Sequence, residues 1–100
     1  MDTVFSNVNV EGLEFIEDRF SIQIKFTNSI KGCNKFIGNI TCYDIATLKM
    51  EALEKIDFPC FVCDVNITKV EDKETLYLLE FQGSELEVSI MCKDIKIINN

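Results

Sequence analysis

Apolar residues return at every second position in several separate runs of this chain, and that period constrains its fold more than any other feature. The clearest run is Phe20-Ser21-Ile22-Gln23-Ile24-Lys25-Phe26-Thr27. Phe20, Ile22, Ile24 and Phe26 fall on one side, and Ser21, Gln23, Lys25 and Thr27 on the other. An extended strand with one buried face arranges side chains this way. Val4, Val8 and Val10 share a face before it. Gly12 breaks that run, Leu13 to Ile16 follow as a short apolar piece, and Glu17-Asp18 turn the chain into the Phe20 strand as a hairpin.

Residues 28–35 read as a loop rich in Asn, Ser, Gly and Lys, and residues 36–43 as a β-branched strand. Residues 47–56 satisfy two periods. Leu48, Ala52, Leu53 and Ile56 form a helical stripe with Thr47 as cap and Glu51 four before Lys55. Leu48, Met50 and Ala52 also alternate. The stripe favours a short helix. Pro59, the sole proline, opens the longest β signal, with Phe61, Cys63, Val65 and Ile67 on one face. Residues 71–74 form a charged turn, residues 75–82 a central strand, and Gly83-Ser84 a tight turn. Leu86, Val88, Ile90 and Cys92 alternate next, and Ile95, Ile97 and Ile98 make a last strand after a bulge at Lys93-Asp94.

Connections this short favour antiparallel neighbours, so residues 60–98 read as a meander. The expectation is a mainly β fold: an antiparallel sandwich or rolled sheet of six or seven strands with at most one short helix. A chain of 100 residues fits a single β-rich domain over positions 1–100. No apolar run is long enough for a membrane span, and the first residues carry no secretory signature, so a cytoplasmic location is expected.

Chemistry is narrowed by what side chains are missing. The chain contains no histidine, which removes Ser-His-Asp and Cys-His catalysis and every His-containing metal site. Arg19 is the sole arginine, so no clamp of several guanidinium groups can hold a phosphate. The net charge of −7 opposes nonspecific nucleic-acid binding and attraction to anionic lipid.

The five cysteines are Cys33, Cys42, Cys60, Cys63 and Cys92. An odd number without an export signal implies reduced thiols rather than a disulfide framework. Cys60 and Cys63 form a C-x-x-C, but in a run of strand formers their sulfurs point to opposite faces. That geometry disfavours a redox pair. A zinc site from Cys33, Cys42, Cys60 and Cys63 would have one such pair where a ribbon has two. Cys63 and Cys92 read instead as small apolar core residues. Glu85 and Glu87 share a strand face, yet acid–base work would need a cleft and a raised pKa, so a solvated face is favoured. Residues 31–35 lack the P-loop pattern. Phe20, Phe26, Phe61 and Phe81 sit in apolar register and read as core rather than as a base-stacking platform.

Charge is unevenly spread. Residues 1–18 carry five acids and no base, residues 19–49 five bases and one acid, and residues 50–87 ten acids and three bases. Acidic turns and outer strand faces can steer a basic partner, while the same charge also serves solubility. With strand Phe20–Thr27, the strand leading into Tyr43-Asp44-Ile45 and the closing Leu86–Ile97 pattern laid out, the chain resembles small acidic bacterial proteins of the toxin-immunity type. It departs from them in its cysteine-rich middle. The resemblance implies a non-catalytic protein that binds and masks a toxin.

The expected function is a small acidic protein-binding module, not an enzyme, without cofactor, taking a basic protein partner and neither nucleic acid nor membrane. Its expected contact residues are Glu71, Asp72, Glu74, Glu85 and Glu87. The alternatives are an enzyme or metal-binding protein using the cysteines or carboxylates, and a structural homo-oligomer subunit joined through an exposed apolar sheet face. The chain is expected as a monomer or homodimer.

Overall fold

The computed structural model describes residues 2–30, 35–52, 55, 57–71 and 75–99. Six strands fill nearly all of them: β1 (Asp2–Ile16), β2 (Ser21–Asn28), β3 (Phe36–Ala52), β4 (Cys60–Glu71), β5 (Thr75–Gly83) and β6 (Leu86–Asn99). They form one closed barrel in the order β1-β2-β3-β6-β5-β4, every neighbour antiparallel, with β4 returning to β1. The expected rolled sheet is thus rolled to completion, and among the described residues there is no second sheet to make a sandwich. β6 runs unbroken, so the described strands number six. The bulge anticipated at Lys93-Asp94 lies instead on β3, between Ile45 and Thr47.

Alternation explains the interior. Ile22, Ile24 and Phe26 of β2 are buried with Val10, Ile40, Leu79, Val88 and Ile90, while Lys25 stands outside. Phe26 lies between Phe5 (ring centroids 5.1 Å) and Phe81 (6.0 Å). A six-stranded barrel is narrow, so such side chains fill it and leave a packed core.

The long strands change neighbours along their length. β1 pairs β4 from Asp2 to Val10 and β2 from Val8 to Ile16. β3 pairs β2 only as far as Cys42, yet pairs β6 out to Ala52. This stagger is what closing a sheet demands.

Five expectations are corrected. The stretch from Thr47 to Ala52 is strand, not helix; Leu53, Glu54 and Ile56 lie outside the described residues. A ladder from Thr47↔Met91 to Ala52↔Leu86 outweighs one helical Glu–Lys pair worth about 0.3–0.5 kcal/mol. Phe20 leaves the core row: it sits in the β1–β2 turn with φ 44°, is 56% exposed, and meets the Phe15 ring edge-on at 5.2 Å. On β4 a bulge between Val62 and Val65 moves the inward face onto Cys60, Val62 and Val65. Phe61 and Cys63 therefore point outward, against the expected face. On β1 the left-handed Asn7 (φ 53°) and a shift between Thr3 and Phe5 bury Phe5 with Val8 and Val10, leaving Val4 at the core margin. Gly12 interrupts the register as a bulge after Val10, but β1 continues through it.

Candidate functional site: an acidic groove on the outer wall

The β4 bulge and the β5–β6 hairpin together shape a groove of about 300 Å³ on the outside of the barrel. In the hairpin ladder Glu80 stands opposite Ser89 and Gln82 opposite Glu87. On the other side of β5, Asn66 stands opposite Glu80. Residues paired this way share a sheet face, so Asn66, Glu80, Gln82, Glu87 and Ser89 form one polar surface. The bulge then turns Cys63 and Asp64 both to solvent at its rim.

Three carboxylates, Asp64, Glu80 and Glu87, line this groove. Asp64 accepts a hydrogen bond from Ser6 Oγ at 2.9 Å, and Asn66 Oδ1 accepts one from Thr3 Oγ1 at 2.7 Å. β1 thereby braces the β4 side of the groove. Among the described residues the ion pairs lie elsewhere, at Arg19–Asp44, Arg19–Asp94 and Lys69–Glu71. The groove carboxylates thus face water without a cationic partner there. Asp64, Glu80 and Glu87 are all exposed, which suits an electrostatic contact better than a proton donor that burial must tune.

Of the contact residues expected from sequence, Glu87 lines the groove. Glu85 sits in the β5–β6 turn, where its Oε2 accepts the Asp57 N–H at 3.4 Å. Glu71 closes the far end of the β4–β5 ladder, opposite Thr75, with Lys69 Nζ 3.5 Å from its Oε1. Glu71 and Glu85 thus flank opposite ends of β5, and the barrel does not bring them together. Asp72 and Glu74 lie outside the described residues. Sequence reading missed Asp64 and Glu80. Counting outward positions back from the Gly83-Ser84 turn would have found Glu80, and alternation with Val65 and Ile67 already sets Asp64 outward; no local pattern marks the bulge that turns Cys63 out beside it.

Two other clusters are structural. Arg19 and Phe20, both with positive φ, cap the β1–β2 turn, and Asp44 on β3 is left-handed too. The Asp44 N–H donates to the Arg19 carbonyl (2.8 Å), and the Ile45 N–H to that of Phe20 (3.2 Å). The guanidinium donates to Asp44 Oδ2 at 2.8 Å, approaches Asp94 Oδ2 at 3.6 Å and lies 4.5 Å from the Tyr43 ring centroid. The hydrogen bond to Asp44 raises the Arg19 pKa further. The one arginine is therefore a latch fastening the turn to β3.

Cys42, Cys60, Cys63 and Cys92 are free thiols; Cys33 is outside the described residues. Cys60 is buried and Cys63 exposed, the divergence their strand spacing implied. Cys92 is a core residue as expected, whereas Cys63 is not. Cys42 and Cys92 share a hydrogen bond inside the barrel; that bond and burial push the Cys42 thiol well above its ordinary pKa. Burial, then the charge of Glu85, raises Cys60 as well. Such thiols stay protonated and unreactive. Among the described residues no three Cys, Asp or Glu side chains gather as a metal-holding group.

Fold and groove define a small closed antiparallel β-barrel with an acidic outer wall. A protein-family model matches residues 3–99, and the chain belongs to that family. In three dimensions it is similar to an uncharacterized protein from Neisseria gonorrhoeae, known from a crystal structure. The TM-score is 0.78 at 18% identity, covering 96% of this chain and 94% of that one. That likeness concerns the fold. No curated protein matches the sequence. Among the described residues no helix is long and apolar enough to cross a membrane.

Proposed function

We propose that this protein is a non-catalytic, cytoplasmic protein-binding module whose acidic groove accepts a basic segment of another protein. The observation carrying this reading is that Asp64, Glu80 and Glu87 all line one open groove, with no cation paired to them among the described residues. Charges displayed this way accelerate encounter with an opposite charge and repel acidic competitors. The rest of the molecule offers little for covalent chemistry: the buried Cys42 and Cys60 thiols are held protonated and the arginine is engaged. Free thiols suit a reducing compartment. A basic toxin held inactive by such a module is the specific partner that the toxin-immunity pattern favours.

The experiment is a titration with a short oligo-lysine peptide at low salt, followed by amide chemical shifts. Shifts should cluster on residues 64–66, 80–82 and 87–89. The triple variant D64N/E80Q/E87Q should weaken binding by about tenfold or more, since each charge-assisted contact is worth roughly 0.5–1.5 kcal/mol when exposed or half-exposed. Equal binding by the triple variant, or shifts centred on the β1–β2 wall, would overturn the proposal.

A further inference from the structure

The second half of β3 stands wholly at the surface. From Ala46 to Ala52 every residue is exposed. On one side this segment is laddered to β6 through Ala52↔Leu86. On the other, β2 has ended its pairing at Cys42, and the Ile45 N–H is taken by the Phe20 carbonyl. Among the described residues nothing pairs with that outer edge beyond Ile45. Half of its peptide groups point into solvent, as on any unpartnered strand.

On one face the side chains along this edge are apolar. Leu48, Met50 and Ala52 stand opposite Ile90, Val88 and Leu86, so they continue the face that forms the core. Leu48 and Met50 are nevertheless 45% exposed each. Thr47, Lys49 and Glu51 occupy the other face.

We infer that this edge is a docking surface for a second copy of this chain, the two β3 strands pairing antiparallel about a two-fold axis at Met50. The two-fold relation keeps each face of one copy continuous with the same face of the other, so residues of equal parity meet. Centred on Met50, the pairing sets Lys49 against Glu51 of the partner copy, twice by symmetry. It also sets Leu48 against Ala52 and Met50 against itself on the apolar face. Centred on Lys49, it would oppose two lysines, which strand pairs disfavour. Lys49 and Glu51 have no ion-pair partner among the described residues, so both are available across the axis. The edge of β6 beyond Cys92 is less suited, because Asp94 at its start is engaged by Arg19.

Sedimentation equilibrium of the full chain tests this surface through charge reversal. The wild type should show a monomer–dimer equilibrium. K49E and E51K each place like charges opposite one another at both symmetric positions and should weaken the dimer about tenfold. The double variant K49E/E51K restores opposite pairs and should recover the wild-type affinity, which a merely structural effect would not. Lys49 and Glu51 are exposed, and circular dichroism checks that each variant is folded. A second measurement uses M50C with glutathione disulfide, which oxidises two thiols to one link and is itself reduced to two glutathione molecules. Across an antiparallel pair the Cα atoms at position 50 would lie about 4.5–5.5 Å apart, within disulfide reach, so mass mapping should find position 50 linked to position 50. A monomer at all concentrations, a dimer indifferent to both single reversals, a double variant as weak as the singles, or no 50–50 link would each overturn the inference.

Discussion

The two halves of β3 carry similar apolar residues and meet different fates. Ile40 and Cys42 in the first half are fully buried; Leu48 and Met50 in the second are nearly half exposed. Both halves pair with β6. They differ in the other neighbour, since β2 accompanies the first half only. Hydrophobicity nominates a residue for the core, and a strand on each side admits it. On β4 the cause is different: Val65 points inward and is buried, while Phe61, the larger apolar group, points outward and is not.

Truncation should break the two halves apart most clearly. Ile40→Ala should destabilise the protein by about 3 kcal/mol, because a closed barrel relaxes little around a cavity; urea denaturation measures it. Gly38→Ala should cost about 1–3 kcal/mol by overpacking. Its Cβ would collide with the Ile98 carbonyl and lie 2.9 Å from the Phe5 ring, and the shift of the urea midpoint reports it.

Alkaline pH tests the first half in another way. The Cys42 and Cys60 pKa values are raised by folding. Their stabilising contribution is therefore complete below the unfolded thiol value of about 8.5 and fades as pH rises above it. Above that value stability should fall by on the order of 1 kcal/mol per pH unit, with the Cys92 thiol, lowered by its hydrogen bond with Cys42, opposing part of the loss. Cys42→Ala should be less stable at neutral pH but fall less steeply. The smallest effect belongs to the second half: Leu48→Ala at concentrations favouring monomer should change stability by about 0.5 kcal/mol or less. A loss near that of Ile40→Ala would abolish the distinction between the halves.

Local pattern made much of the fold readable. Alternation marked Ile22, Ile24 and Phe26, and the short turns implied the meander of β4, β5 and β6. The failures occur where one residue resets the alternation. Asn7, Phe20 and the bulge after Val62 each do so through backbone geometry, which propensity scarcely records. Residues 47–52 were misread because helical and strand periods coincide there, and only β6 decides between them. Barrel closure was hidden for a related reason, since β1 and β4 meet across a long sequence separation. Of the groove, Glu87 was named from sequence because it lies on a plain alternating strand. Asp64 was not, although alternation with Val65 already turns it outward, because only the pairing of β4, β5 and β6 sets it beside Glu80 and Glu87.

The β1–β4 seam also bears on how the chain is made. Asp2 must find Ile67, and Gly38 must find Asn99, so neither juncture can form while synthesis has delivered only the first three strands. Until then β1, β2 and β3 are a sheet with two raw margins, a form vulnerable to wrong partners. Rates of maturation should accordingly follow the arrival of the last strand rather than the speed of the early hairpin.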